Sequence, residues 1–571
     1  MENVIKDGTL GANAAARDEV AHDKHPPGLY ALFGTEMWER FSFYSMLALF
    51  TLYLRDPVEG FGWTAAQATT LYANYLMFVY ASPLIGGFIA DRFTGYRKAV
   101  MIGGFFFMAG HGLLSIPAIW AVYLALTCLV IGNGFFKPNV STMVGNLYPE
   151  GSHLKDRAYN IFYMGINIGA FLAPITMEIV KAYFGFHAAF AVAAFGMVIS
   201  VAILWRYKSI VEDPNALAER QRSRNEATEK ANTAATAVDA PPSGISDQPS
   251  DERAAPRTAS QSRQDLMNTV PNWKRVTALI VIFAIVIVFW MVFHQNGSTL
   301  TYWADDNTDW RVSGTISNSI NAFWVVTLTF PLIWFWGYLD KRGKEPSTPT
   351  KMAFGMTLTG LSFLVLWYAA TVGENQPPTA QQLAGGEFRV NERVINNLAA
   401  QGVPRDVLDR IVAAKDADGK NLIYGVKFSP KQDEATKQAV SGEQQLMTAL
   451  NTVAPGQAAQ YREAFLNNSF LFRVSPFWLI LAYAIVTLGE LLLSPMGLSL
   501  VSKVAPINLR GLLMGGWFVA TAIGNKLTQI GVYWDIWLQS TFFLVLAMMA
   551  LFMAIVLFLL LKPLKKAMPG V

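Results

Sequence analysis

The sequence predicts an all-α polytopic membrane protein whose twelve transmembrane helices form two six-helix bundles. Three observations carry this. Charged residues make up 15% of the 571-residue chain and hydrophobic ones 53%, whereas a soluble domain carries about a quarter charged residues. The apolar residues fall into blocks of about twenty, enough to cross a hydrocarbon core of about 30 Å as helix, and they lack the period-two alternation of a membrane barrel. A long polar stretch divides these blocks six and six.

In chain order the blocks cover roughly 30–54, 65–90, 99–118, 120–144, 158–182, 187–206, 275–303, 314–338, 351–371, 474–500, 510–533 and 539–561. The N-terminal tail, 1–29, lacks the apolar h-region of a signal peptide. The first bundle is 30–206. Residues 207–273 are rich in Ala, Ser, Pro, Asp, Glu and Arg, cannot bury a core, and read as a polar cytoplasmic linker. The second bundle is 274–372 continued by 474–562, followed by a tail, 563–571. Between its parts, 373–473 contains apolar residues at helical spacing, as in "VINNLAAQGVPRDVLDRIVAAK", and reads as a small, passive helical cap on the outer side.

Orientation follows from the short loops. Arg92, Arg97 and Lys98, then Lys341, Arg342 and Lys344, then Lys503 and Arg510, and finally Lys562, Lys565 and Lys566 mark one side, while the alternate loops at 55–64, near 119 and at 534–538 hold one basic residue, Arg55. The positive-inside bias places both termini in the cytoplasm of a cell (inner) membrane protein. The lone Cys128 cannot form an internal disulfide.

Ionisable residues inside spans are expensive and usually line a pathway. Five stand out: Glu36, Glu39 and Arg40 in "TEMWERFSFY", Lys137 in "IGNGFFKPNV" and Glu490 in "LGELLLSPMG". Glu36 and Arg40 are four apart and share a helical face with Glu39. Three carboxylates against two cations leave one acid able to alternate between protonated and ion-paired states if the five meet in one cavity, as a proton-driven transporter requires. Any one of them near a span end has an even chance of snorkelling to the headgroups; five together, with Lys137 and Glu490 deep in apolar spans, do not. His111 reads as a packing residue and Lys526 as a snorkelling one. Between the second and third blocks, "GGFIADRFTGYRK" supplies Gly87, Asp91, Arg92, Gly95, Arg97 and Lys98, a tight charged loop able to brace helix ends in one conformation and release them in another.

These motifs resemble those of the proton-coupled oligopeptide transporters of the major facilitator superfamily: "EMWERFSFY" is similar to E-x-x-E-R-F, "FYMGINIG" to F-Y-x-x-I-N-x-G, and "KPNVS" and "GELLLSPMGLSL" also match. The resemblance spans all twelve blocks but neither the linker nor the insertion. It implies the major facilitator fold and import of di- and tripeptides by proton symport, with protons as the coupling ion and no other cofactor or metal. It implies that Arg40, Lys137, Tyr44 and Tyr80 hold the peptide carboxylate, that Glu490 with Asn167 and Asn321 holds the amino terminus, and that Trp290, Ser494 and Trp517 line the wall. Glu36, Glu39, Arg40 and Glu490 would couple the proton. The sequence departs from the family at Phe43, Leu47 and His294, where a tyrosine, an arginine and an acid are usual. The usual ion pair between spans one and seven is thus missing, leaving His294 as a titrating site or Asp305, Asp306 and Phe518 as an outer gate. The remaining expectations are a monomer in the lipid bilayer with no nucleic-acid partner. Two alternatives stay open: a carrier of another small anion or amino-acid-like solute, and a non-transporting peptide receptor. No triad, metal cluster or nucleotide motif points to an enzyme.

Overall fold

The computed structural model describes residues 25–148, 154–211, 269–432, 438–506 and 509–569. Most of the expected linker therefore lies outside the described residues, as does most of the N-terminal tail. Helices occupy every expected block: α1 Pro27–Arg55, α2 Ala65–Ile89, α3 Tyr96–Leu113, α4 Ile119–Asn146, α5 (154–184), α6 (186–206), α7 Asn272–Phe293, α8 Ser317–Asp340, α9 Thr348–Glu374, α10 Pro476–Val504, α11 Arg510–Leu527 and α12 Gln539–Ala567. Among the described residues, eight helical stretches are long and apolar enough to cross a membrane by length and composition, one of which joins α5 and α6.

The helix ends follow local chemistry. Pro27 and Pro476 sit at first-turn positions, where the missing N–H costs nothing. Thr64 and Gln67 close a reciprocal capping box at the start of α2. Gly185, at φ 82°, breaks the run between α5 and α6, and the Glu59 carboxylate accepts from the Phe186 N–H at 2.7 Å, capping the freed end. After α7 the chain tightens into the 3-10 turn His294–Gly297 and resumes as the helix Thr299–Asp306. A Cβ on Gly297 would lie 2.0 Å from the Tyr72 hydroxyl, so only glycine lets α2 press against this break.

In the first bundle α1 packs on α5 and α6, and α4 lies against α2 and α3; in the second, α9 packs on α10 and α12, and α7 on α11 and α12. The bundles meet along α2–α11 and α5–α8. Polar links between them gather at the end that carries the insertion: Thr51 Oγ1 donates to Gly297 O at 3.0 Å, Thr69 and Tyr302 hydroxyls lie 3.2 Å apart, the Ala65 N–H donates to Asp535 at 3.2 Å, and Glu178 accepts from the Ser313 N–H at 2.8 Å. This end of the molecule is closed. Lys526 does not snorkel: its ammonium donates to Asn74 at 2.5 Å and to Gln529 at 2.6 Å, because an acceptor on α2 stands within reach across the bundle interface. His111 is fully buried with its ring stacked on Phe107 at 6.1 Å, a packing position, although neither ring nitrogen has the hydrogen-bond partner among the described residues that a satisfied core histidine would have.

The insertion is a folded unit. Its short helices, among them Glu392–Ala400, Arg405–Ala413 and Gly442–Val453, and two two-stranded ladders, Phe388–Arg389 with Lys427–Phe428 and Lys431–Gln432 with Ala439–Val440, enclose a separate core that includes Phe388, Leu398, Leu408, Ile411 and Leu446. The ladders are an addition to the helical cap expected, formed by runs of two residues too short to show a period in sequence.

Glycine sets the closeness of α2 and α4. A Cβ on Gly86 would lie 2.0 Å from Gly134 O, while one on Gly112 meets nothing within 4 Å. Gly86→Val is expected to cost about 1–3 kcal/mol through overpacking, lowering the thermal midpoint in detergent by several degrees, whereas Gly112→Ala leaves it unchanged.

Candidate functional site

The charges of α1 assemble as their spacing requires. Arg40 Nη2 donates to Glu39 Oε1 at 2.7 Å, its Nε donates to Glu39 Oε2, and the same Nε lies 3.2 Å from Glu36 Oε1. All three residues are at most 2% exposed, and Glu36 Oε2 has no hydrogen-bond partner among the described residues. The other face of the guanidinium rests on Phe43, 4.9 Å from the ring centroid. This burial is made by α5: a Cβ on Gly169 would lie 2.4 Å from Met37 O and 3.1 Å from Arg40 Cβ, and one on Gly165 would meet Phe33 at 2.9 Å. The glycines of "FYMGINIG" are thus what lets two helices enclose the ion pair. Asn167, between them, is buried and donates to Tyr163 O at 2.9 Å.

Lys137 on α4 stands over the Tyr80 ring at 4.9 Å and lies within electrostatic range of Glu36 and Arg40. Tyr80 packs edge-on against His294, ring centroids 5.5 Å apart, and His294 stacks on Trp290 at 5.0 Å. The break after α7 therefore touches the cation cluster through one tyrosine. His294 Nε2 and Trp290 Nε1 are buried without hydrogen-bond partners among the described residues.

On the second bundle, Glu490 Oε2 accepts from Asn321 Nδ2 at 3.1 Å, and the same amide donates to Thr487 Oγ1 at 2.9 Å. Ser494 follows one turn on, half-buried before Pro495. Tyr44 and Tyr80 lie within electrostatic range of both Arg40 and Glu490, so both poles act on the same two tyrosines. Trp517 is buried between Phe283, at 6.2 Å, and the backbone of Gly497, whose missing side chain makes its room; Phe518 beside it is half-buried.

Asp305 and Asp306 lie apart from this space, at the closed end. Asp306 meets Arg55 of α1 at 3.5 Å and Arg389 of the insertion at 2.9 Å, and Lys427 reaches Asp305 at 3.1 Å and Asp306 at 3.3 Å. Burial alone would lower the Lys427 pKa, but Asp305, Asp306 and Glu387 outweigh it and raise it above the ordinary lysine value. In the charged loop, Gly95 adopts φ 73°, Arg97 donates to Lys208 O at 2.9 Å, tying α3 to the end of α6, and Asp91 and Arg92 are exposed; Gly87 contacts Pro138 at ordinary distance.

Thr487, Arg55, Arg389 and Lys427 escaped the sequence reading. A signal existed for Arg55, the single cation in loops otherwise free of them. None existed for Arg389 and Lys427, since long loops carry charge freely.

The POT family model matches residues 97–413 and 446–534, a span that takes in the polar linker and most of the insertion, which the motifs alone had left outside the resemblance. Curated relatives include an uncharacterized transporter YclF of Bacillus subtilis, 26% identical over 96% of each chain, and a di-/tripeptide transporter of Lactococcus lactis, 25% identical over 96% of this chain and 97% of that one. Among solved structures, a peptide transporter POT in complex with sulfate superposes with a TM-score of 0.66 at 25% identity over 96% of both chains.

The arrangement around Arg40 generates an ordered prediction. Glu39 makes both strong bonds to the guanidinium, so Glu39→Leu strands a buried charge and is expected to cost about 3–5 kcal/mol. Glu36→Leu removes only the single 3.2 Å contact and costs less. Thermal unfolding of the two variants in detergent reads the difference.

Proposed function

The chain belongs to the POT family, and on that premise we propose that it is a proton-coupled symporter that imports di- and tripeptides by alternating access. The observation that carries the reading is that Tyr44 and Tyr80 lie within electrostatic range both of Arg40 on the first bundle and of Glu490 on the second, while Lys137 stands over the Tyr80 ring. A zwitterionic peptide has the complementary ends. Arg40 and Lys137, with Tyr44 and Tyr80, take the carboxylate, for which a guanidinium fork is well matched. Glu490, held by Asn321 and flanked by Ser494, takes the amino terminus with Asn167. Trp290 and Trp517 supply apolar wall that tolerates varied side chains.

Coupling follows from the Arg40 pairing. Protonation of Glu39 or Glu36 loosens the guanidinium from its partners and frees it for the substrate carboxylate, and Glu490 provides a second site for a proton when no amine is bound. A ligand shifts the balance of inward- and outward-open states only by its differential affinity for them, and here the peptide draws the two poles together. Asp305 and Asp306 act at an outer gate, Phe518 lies apart from them beside Trp517, and His294 stays a packed neighbour of the site. The reading extends to twelve membrane crossings in the inner membrane, both termini cytoplasmic, the insertion outside and a monomeric unit. A carrier for simple anions is disfavoured by Glu490 and Asn321, which form a receptor for an amine.

The test is uptake of a labelled dipeptide into proteoliposomes with and without an inward proton gradient. Gradient-driven accumulation is expected, with Glu490→Gln reducing it by about tenfold or more and an N-acetylated dipeptide failing to compete. Exchange without accumulation would sink the coupling, and the absence of any uptake would sink the substrate assignment.

A further inference from the structure

The insertion, 375–475, is bonded to both bundles at once. It belongs covalently to the second, entering from α9 and leaving into α10. Noncovalent bonds reinforce that attachment: Val474 N–H donates to Asn307 O at 2.9 Å, Arg393 to Gln539 at 2.7 Å, and Asn391 to Asp535 at 3.3 Å. Arg389 and Lys427 add the ion pairs to Asp305 and Asp306.

Its reach to the first bundle is of a different kind. A turn at Asp416–Lys420, closed by the Asp416 carboxylate accepting from the Asp418 and Lys420 N–H groups, presents the Lys420 ammonium to the loop between α1 and α2. There it donates to Pro57 O at 2.8 Å and Val58 O at 3.0 Å, and Asn421 Nδ2 donates to Gly62 O at 3.2 Å. These are three hydrogen bonds across the line where the bundles must part if this end opens. Beneath them Asp306 is shared between Arg55 of α1 and the cations of the insertion, and it is 3% exposed. In open water an ion pair of this length contributes little; the insertion covers it and supplies the remaining partners.

We propose that the insertion is a strap that holds this end of the transporter closed and releases its grip on the 57–62 loop in each cycle. The inference rests on the transport reading above. The strap travels with the second bundle, to which it is fixed by chain and by ion pairs, so the bonds from Lys420 and Asn421, together with Arg55–Asp306, break on opening along with the direct links between the bundles. A passive cap would have no need of bonds to the first bundle. The fold places the strap far from the substrate poles, so it acts on the equilibrium between states and leaves the binding chemistry alone.

The geometry also supplies the test. A Cβ built on Gly62 would lie 3.7 Å from that of Lys420, within the range a disulfide spans. The variant Gly62→Cys with Lys420→Cys, in a Cys128→Ser background, allows the strap to be locked by oxidation and freed by reductant in the full-length protein. Dipeptide uptake is expected to fall by about tenfold or more on oxidation and to return on reduction, since a locked closed state removes the open one from the cycle. Uptake unchanged with the crosslink formed overturns the strap. Hydrogen exchange of the 294–306 amides gives a reading independent of substrate: slower exchange in the oxidised than in the reduced protein is expected, and equal rates overturn the strap. If the reduced protein carries no dipeptide, the transport reading falls by itself and the exchange comparison still decides the strap. Where the double variant fails to fold, Lys420→Ala removes two of the three bonds by a truncation at a partly exposed position. Weaker closure raises the outward-open fraction, so the KM for external dipeptide is expected to fall about threefold, and an unchanged KM overturns the proposal.

Discussion

A guanidinium inside a membrane helix must be paired, and the pairing of Arg40 organises the first bundle. Its fork is satisfied by Glu39, its Nε is shared with Glu36, and its flat face lies on Phe43. The assembly is acceptable in a membrane only if lipid is kept from it. That demand explains why α5 approaches α1 through Gly165 and Gly169, where any side chain would collide with Phe33 or with the Met37 carbonyl. Close helix approach through small residues is the usual way to bury polar groups between membrane helices. The ion pair thus fixes where α5 lies, and α5 in turn meets α8 of the other bundle.

The two poles of the site are held with different stiffness. Arg40 has two competing carboxylates, and Glu36 keeps one oxygen without a partner, so the cation pole can be rearranged by moving one proton. Glu490 is held by Asn321, whose amide is itself anchored to Thr487, and an amide cannot change its charge. Under the proposed mechanism, the release of a bound guanidinium is therefore concentrated on α1, while the α10 pole keeps its position and changes only as Glu490 exchanges a proton for the peptide amine. Tyr80 joins the two by touching Lys137 on one side and His294 on the other.

Much of this was legible in the sequence, for local reasons. Apolar blocks, the i, i+4 spacing of Glu36 and Arg40, and the glycines of the α5 motif are read within a few helical turns. The preference of Arg40 for Glu39 over Glu36 was not, because it depends on how α5 presses the side chain. The partner of Lys526 was missed because Asn74 is more than four hundred residues away in the chain, and a lysine near a span end is ambiguous until the facing helix is placed. The insertion was read as a passive cap since its amphipathic helices show only that it can enclose a core. Nothing in its pattern distinguishes Lys420 or Arg389 from ordinary surface cations.

The missing link between spans one and seven acquires a physical sense from the position of its replacement. With His294 at the level where the family commonly has an acid, the pairing of α1 with the seventh segment occurs instead between Arg55 and Asp306, twelve residues farther along. The shift carries the pair past the break at 294–298 to the end of the two helices where the insertion sits. A pair moved so far outward loses the low-dielectric surroundings that gave it strength, because water competes for both charges. Burial must then be restored by other parts of the chain, and the insertion does so with Arg389 and Lys427 above Asp306. The outward shift of the ion pair and the presence of a folded insertion bonded over it are consequently two aspects of one arrangement.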